Sequence, residues 1–417
     1  MSQSIRILAG LVLGLIAGIA IASISPGAAD LGVHVTQPIG TAWLNALQMT
    51  VIPLVVSLLV TGIVSTAEAA GAGRLAARTI VLTLVLLTVN AAASAVITPL
   101  ILDVAPIPQA AAAALRQALA GVQPVAPPPP MAELFAAIVP SNVVAAASNG
   151  ALLSLIVFTL VFGFALTRIE VDGRRQLVAL FASVRDAMLV MVGWVLWLAP
   201  AGVFALAFLV GARAGSAAFG ALVHYMAVIS GIGVLVTAVA YLVAGLASRV
   251  PLARFARAAL PAQVFAVSTQ SSLATLPAML RAAGEMRVPT VASGVTLPLG
   301  VAMFRATQPA MNLAIAIYIG RWFGLEVTPV AVAAGILVGV VTSLGSISLP
   351  SQITFFASVA PIATAVGVPL APLGLLIAVE TIPDIFRTLG NVTSNLALTA
   401  VATRDRPADA PEPEIAA

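Results

Sequence analysis

Six stretches of this chain, at about 5–24, 40–66, 78–104, 150–167, 184–212 and 218–247, are apolar for long enough to cross a bilayer as helices. That succession constrains the fold more than any single motif. Hydrophobic residues make up 61% of the 417 residues and charged residues only 8%, where a soluble domain would carry roughly 25% charge. The mean hydropathy is +1.11. The length leaves room for about eight spans with loops, so the expected class is an all-α polytopic membrane protein. There is no cysteine, hence no disulfide, thiolate metal site or redox motif, and two histidines are too few for a histidine-based metal site or haem. No metal and no cofactor are expected. The pI near 10.6 does not signal nucleic acid, because all 19 basic residues are arginines scattered at segment ends rather than gathered in a patch.

The scatter of arginines orients the chain. Arg6, Arg74, Arg78, Arg168, Arg174, Arg175, Arg185, Arg249, Arg254, Arg257, Arg281, Arg287, Arg404 and Arg406 fall at ends assignable to one side, and Arg116, Arg213 and Arg321 to the other. The bias of fourteen to three places both termini in the cytoplasm. The first apolar run reads as a retained helix rather than a signal peptide, since removing it would invert the charge pattern downstream. The Ala- and Arg-rich, lysine-free composition suggests a bacterial source and hence an inner membrane. The stretch 105–139, with Pro127–Pro130, is expected to be an external polyproline-like loop, and the tail from about 404 to be disordered.

The last apolar segment carries an unusual polar row. Glu380, Asp384, Arg387, Asn391 and Asn395 follow one another at spacings of four, three, four and four, which puts them on one helix face. A charge at mid-membrane costs roughly 2.5–3.5 kcal/mol on insertion scales, so such a face marks a binding site for something polar and charged. The plainer reading is an ion pair between Asp384 and Arg387 at i, i+3, which leaves the amides without a purpose. After residue 250 the apolar runs shorten and break. Ser268–Pro277 and Thr342–Pro350 are two serine-rich breaks, and each holds a nine-residue stretch that begins with Thr and ends Leu-Pro, 73 residues apart. Each is followed by a longer segment with intramembrane charge, Arg305 in one and the Glu380–Asn395 row in the other. Two broken segments in matching positions point to the substrate site of a transporter built from inverted repeats. Hydroxyls that merely cap helix ends in a bundle are the alternative.

These residues resemble the dicarboxylate/amino acid:cation symporters, the glutamate-transporter fold, over nearly the whole chain. Met49-Thr-Val-Ile-Pro53 with Gly62-Ile63 is similar to the family's second helix, Pro140-Ser141-Asn142 with Gly150 to the start of its fourth, and Ala199-Pro200-Ala-Gly202-Val-Phe204 to its fifth. Ser271-Ser272-x-x-Thr-Leu-Pro277 resembles its first re-entrant hairpin and Pro298-Leu-Gly300 the start of its seventh helix. The most specific match is Asp384-x-x-Arg387-Thr388-x-x-Asn391-Val-Thr393, which resembles the eighth helix.

The resemblance implies eight transmembrane helices plus two re-entrant helical hairpins, inverted repeats and an elevator-type transporter working as a homotrimer. It implies scaffold helices at 1–70 and 140–213, and a transport domain formed by 71–104 and 214–403, with the loop at 105–139 and the tail at 404–417 outside both. It implies that Asp384 holds a substrate amino group, that Arg387 grips a side-chain carboxylate, and that Ser271, Ser272, Thr307, Ser348, Thr388 and Asn391 complete the substrate site. An arginine fork matches a carboxylate bidentately, so a small anionic substrate is expected.

The departures matter equally. The family's Asn-Met-Asp-Gly-Thr sodium motif falls on Phe304-Arg305-Ala306-Thr307-Gln308, and its second sodium aspartate is Asn395. Two carboxylates fewer and one guanidinium more make the site three units more positive. Buried sodium needs oxygen ligands, carboxylates among them. Arg305 then reads as a tethered cation and Glu380 as the candidate proton carrier. The plainer reading has Arg305 pairing with Glu380 or Asp384. The expected function is secondary transport of an acidic amino acid or C4-dicarboxylate, proton-coupled or by exchange. An ordinary sodium symporter and a non-transporting or leak homologue are the alternatives. An enzyme is not expected, because no nucleophile–base pair, metal cluster or phosphate loop is present.

Overall fold

The computed structural model describes residues 3–71, 73–108, 112–113, 139–215, 217–344 and 351–405. Outside these lie most of the expected external loop with Pro127–Pro130, the second break tip from Gly345 to Pro350 with Ser348, and the tail from Arg406. Among the described residues there are sixteen helices and no strand. They are α1 (Gln3–Ile24), α2 (Pro26–Gly71), α3 (Arg74–Val104), α4 (Val143–Ser148), α5 (Leu152–Leu166), α6 (Val171–Trp197), α7 (Ala199–Ala214) and α8 (Ala217–Ala247). The second half holds α9 (Leu252–Thr269), α10 (Ser272–Glu285), α11 (Thr290–Met303), α12 (Gln308–Phe323), α13 (Pro329–Ser343), α14 (Ser351–Val366), α15 (Ala371–Leu376) and α16 (Thr381–Ala402).

The helix starts follow local chemistry. Pro26 opens α2, where its missing N–H belongs to a group that would lack an intrahelical partner anyway. Asn142 caps α4 by accepting from the Val144 and Ala145 amides. The apolar stretch expected at 184–212 is divided: α6 ends at Trp197, and α7 starts at Ala199 with Pro200 in its first turn. A proline there cannot continue the preceding hydrogen-bond ladder. α6 also reaches back to Val171, through a charged start that hydropathy alone does not mark. The helices α1, α2, α3, α6 and Phe219–Ala247 of α8 are long and apolar enough to cross a membrane, while α5, α7, α13 and Thr354–Val366 are apolar but shorter.

Packing falls into two groups of helices. α1 packs on α7 and α2, and α2 also packs on α5, α6 and α7. Along α1, a side chain on Gly10, Gly14 or Gly18 would run into the backbone oxygens of Pro200, Phe204 and Phe208, so these helices approach backbone to backbone. In the other group α8 packs on α16, α3 on α12, and α9 and α10 on each other and on α16. Ala244, Phe255, Met279, Leu297 and Leu396 belong to one apolar cluster shared by α8, α9, α10, α11 and α16. The groups meet where α2 contacts α3 and α14.

Charges collect at helix ends. Arg78 near the start of α3 pairs with Asp405 at 2.8 Å, and Arg404 and Arg249 also face that carboxylate. At the other end of α3, Asp103 pairs with Arg321 of α12.

Candidate functional site

α15 and α16 are separated by Ile377–Glu380, where tight i→i+3 bonds from Ala378 to Leu375 and from Val379 to Leu376 replace the α-helical ladder. Pro383 falls in the first turn of α16, where an absent N–H leaves no helical bond unmade. Glu380 therefore sits at the start of the helix, but its side chain caps nothing there and turns toward Arg387 two turns on.

Glu380, Asp384, Arg387, Thr388, Asn391 and Asn395 are all at most 7% exposed. The guanidinium of Arg387 uses all three nitrogens. Its Nη2 meets Glu380 Oε1 at 2.6 Å, its Nη1 donates to Asn312 Oδ1 at 2.9 Å, and its Nε lies 3.7 Å from Asp384 Oδ1. The closer partner is thus Glu380, with the i, i+3 aspartate second. Tyr225 of α8 donates to the other oxygen of Glu380 at 3.3 Å. Asn312 passes a hydrogen bond to Ser358 of α14 at 3.0 Å. Four helices, α8, α12, α14 and α16, therefore converge on one ion pair.

One turn further, Asn391 Oδ1 accepts from both the backbone amide and the hydroxyl of Thr307, each at 3.0 Å. Thr307 lies in the break between α11 and α12, where Phe304 is extended and Pro309 opens α12. Gly390 makes the approach possible, since a Cβ there would sit 2.5 Å from Thr307 Cγ2. From α3, Asn90 donates to the Ala306 carbonyl at 3.1 Å, which satisfies an oxygen freed by the break, and Ser94 donates to the Ala310 carbonyl in the first turn of α12 at 2.7 Å. Arg305 occupies the same break and interacts electrostatically with Asp384 and Arg387. Asn395 packs against Gly300, and its Nδ2, like Asn90 Oδ1, is buried and has no hydrogen-bond partner among the described residues.

The structure thus brings together Glu380, Asp384, Arg387, Asn391, Thr307 and Arg305. Among the described residues, no hydrogen bond joins Ser271 or Ser272 to this network. They follow Gln270, whose φ of 50° turns the chain at the first tip, and Ser271 Oγ accepts from its own helix at Ala274. Thr388 is buried on α16 and, among the described residues, its hydroxyl joins no hydrogen bond to the Arg387 group. Ser348 is outside the described residues.

Sequence reasoning passed over Tyr225, Asn312, Ser358, Asn90 and Ser94. A signal existed for the α3 pair: Thr79, Thr83, Asn90, Ser94 and Thr98 lie at helical spacing and are all buried. Tyr225 has no comparable pattern around it.

Chemically, the site presents a guanidinium fork, two carboxylates and amides, all buried, with a second, half-buried guanidinium at Arg305. The oxygens available where Asn395 and Thr307 stand are neutral amide and hydroxyl groups, and a guanidinium lies beside them, which is a poor setting for a hard monovalent cation.

Comparison with known proteins agrees with this architecture. The model of the sodium:dicarboxylate symporter family matches residues 4–405. The chain is 27% identical to the proton/glutamate-aspartate symporter of Escherichia coli (strain K12), over 95% of this chain and 91% of that protein. It is 29% identical to the neutral amino acid transporter B(0) of Oryctolagus cuniculus, over 93% and 76%. It is 25% identical to the C4-dicarboxylate transport protein of Laribacter hongkongensis (strain HLHK9), over 88% and 83%. With a match along almost its full length, the chain belongs to the sodium:dicarboxylate symporter family.

Proposed function

We propose that this chain is a secondary transporter that carries an acidic amino acid or a C4-dicarboxylate across a bacterial inner membrane without sodium. Relatives of similar identity bear names for acidic amino acids, neutral amino acids and dicarboxylates, so membership alone leaves the solute open. The observation that carries the choice is Arg387, buried in a mostly apolar chain with its fork already set against a carboxylate. A neutral amino acid has no side-chain carboxylate to offer that fork, whereas an acidic solute has one that replaces Glu380 charge for charge.

In this reading Asp384 receives the substrate ammonium, Asn391 and Thr307 shape the floor, and Ser271, Ser272, Ser348 and Thr388 complete the site when the hairpins close on substrate. Arg305 is a tethered cation in place of bound sodium, and Glu380 carries the coupled proton. The moving body comprises 71–104 and 214–403 and slides against a scaffold of 1–70 and 140–213 within a homotrimer, both termini cytoplasmic. The division of helix packing into two groups supports that partition.

The test is uptake of labelled aspartate, glutamate and succinate into proteoliposomes, with sodium or choline outside, each with and without an inward proton gradient. Uptake indifferent to sodium is expected, and strict sodium dependence would sink the tethered-cation reading. The triple variant Arg305→Met, Ala306→Asp, Asn395→Asp restores two carboxylates and removes the guanidinium, and is expected to acquire sodium dependence. Continued indifference to sodium in a folded triple variant would count against Arg305 in that role.

A further inference from the structure

The four charged side chains gathered at this site cancel. Glu380 and Asp384 contribute two negative charges, and Arg387 and Arg305 two positive ones; Arg387 pairs with both carboxylates, and Arg305 interacts electrostatically with Asp384 and Arg387. Among the described residues, the other groups that hydrogen-bond in this network are neutral: Tyr225 from α8, whose ring packs 5.4 Å from that of Tyr318, and Asn312 and Ser358 from α12 and α14. The site without substrate carries no net charge through a hydrocarbon layer in which every uncompensated charge is costly.

The arginine that would bind substrate is already bound. Glu380 Oε1 lies 2.6 Å from Arg387 Nη2, the distance of a charge-assisted hydrogen bond. A substrate carboxylate that takes the short hydrogen bond now made to Glu380 must displace it. If Glu380 left as a carboxylate, a monoanionic substrate would bring the site to one net negative charge. One proton restores neutrality: an O–H bond forms on Glu380 with a proton from the aqueous side the site then faces. Tyr225 Oη, 3.3 Å from the other carboxyl oxygen, donates to the carboxylate and can accept from the acid, so it serves Glu380 in both forms.

We propose that Glu380 is an internal stand-in for the substrate carboxylate: it holds Arg387 while the site is empty and yields it, protonated, when substrate arrives. One proton then crosses with each monoanionic acidic amino acid, and neither the loaded nor the empty site moves net charge. This rests on the transporter reading above and adds to it the stoichiometry and the insensitivity to voltage. Tyr225 is the positioning residue.

The experiment uses the full chain in proteoliposomes with labelled aspartate, the membrane potential clamped at zero or about −100 mV by potassium and valinomycin, with or without one inward unit of pH. Steady accumulation is expected to rise about tenfold with the pH unit and to be the same at both potentials. Each net charge moved per cycle would instead change accumulation roughly 50-fold over that voltage, and a change of that size overturns the proposal. Glu380→Gln fixes the neutral form: the loaded site stays balanced while the empty one carries an extra positive charge. Net uptake is then expected to fall by roughly tenfold or more, while exchange against internal aspartate survives and loses its pH response. Glu380→Asp, which keeps a carboxylate, should keep the pH response. Wild-type pH-driven net uptake in Glu380→Gln, or loss of exchange together with net uptake in the folded variant, overturns the assignment to Glu380. Should Glu380→Gln not fold, the voltage measurement on the unaltered protein decides alone. Voltage-driven uptake sinks only this inference, whereas no uptake of any acidic substrate sinks the functional reading as well.

Discussion

The contact between α1 and α7 and the contacts of α16 with α8 and α12 join apolar helices by opposite chemistry. In the first, three glycines on α1 bring its backbone against Pro200, Phe204 and Phe208, and dispersion between close backbones does the holding. In the second, Gly233 of α8 also admits Phe386 closely, but side-chain hydrogen bonds from an ion-paired face tie α16 to its neighbours. Packing of the first kind has one good arrangement. A polar network can exchange one partner for another of like charge, so the second interface is suited to accept a solute and the first to remain fixed.

The largest expected effect that would break this contrast comes from Arg387→Ala. It removes the fork and strands Glu380 without its cation, at a cost of about 3–5 kcal/mol of stability. Uptake of acidic substrates should fall roughly 100-fold or more, in line with loss of a buried charge pair. The double variant Arg387→Ala, Glu380→Gln should recover thermal stability but not uptake. Recovery of both would mean that the network is a structural tie only. On the static side, Gly14→Leu forces a side chain to within 2.5 Å of the Phe204 carbonyl oxygen, and overpacking of that kind costs about 1–3 kcal/mol. Its melting temperature should drop while the KM of the folded fraction stays unchanged. A changed KM would show that the α1–α7 contact takes part in the cycle.

The sequence made one interface far more legible than the other. The row from Glu380 to Asn395 declares itself because charged residues at spacings of three and four are conspicuous in an apolar run, and Arg305 stands out for the same reason. Asn312 and Tyr225 reach Arg387 and Glu380 across 75 and 155 residues of chain, and a single amide or phenol on an otherwise apolar helix carries no periodic signal. The preference of Arg387 for Glu380 over the nearer-spaced Asp384 is likewise set by the turn at Ile377–Glu380, which carries the glutamate to the fork's end. The boundary at Leu198 was hidden by hydropathy, since both flanks are apolar, although Pro200 marked it.

The smallest expected effect concerns the exposed cluster at Asp405. The hydrogen bond from Arg78 holds that carboxyl below the usual aspartate range. A depressed carboxyl contributes above its unfolded value and loses the contribution as pH falls through its folded one, so any stabilisation from this pair is present at neutral pH and vanishes on strong acidification. Because the pair is solvated, Arg78→Ala should shift the melting temperature slightly at low salt and not at all in high salt. A large, salt-independent shift would place this cluster with the buried network.

The two charged collars of α3 also set a ruler. Arg78 and Asp103 are 25 residues apart, about 38 Å along a helix, while the hydrocarbon core is about 30 Å thick. Each end is tied by an ion pair to a neighbour, Asp405 following α16 at one end and Arg321 of α12 at the other, so the helix does not slip alone. A body collared in this way has only a few ångströms of slack before displacement along the membrane normal drags a charged pair into hydrocarbon. Any larger displacement would require the lipid to yield instead, by thinning or bending around the helix. Bilayer thickness and stiffness then become part of the transporter's energy landscape, as much as the groups that line its binding site.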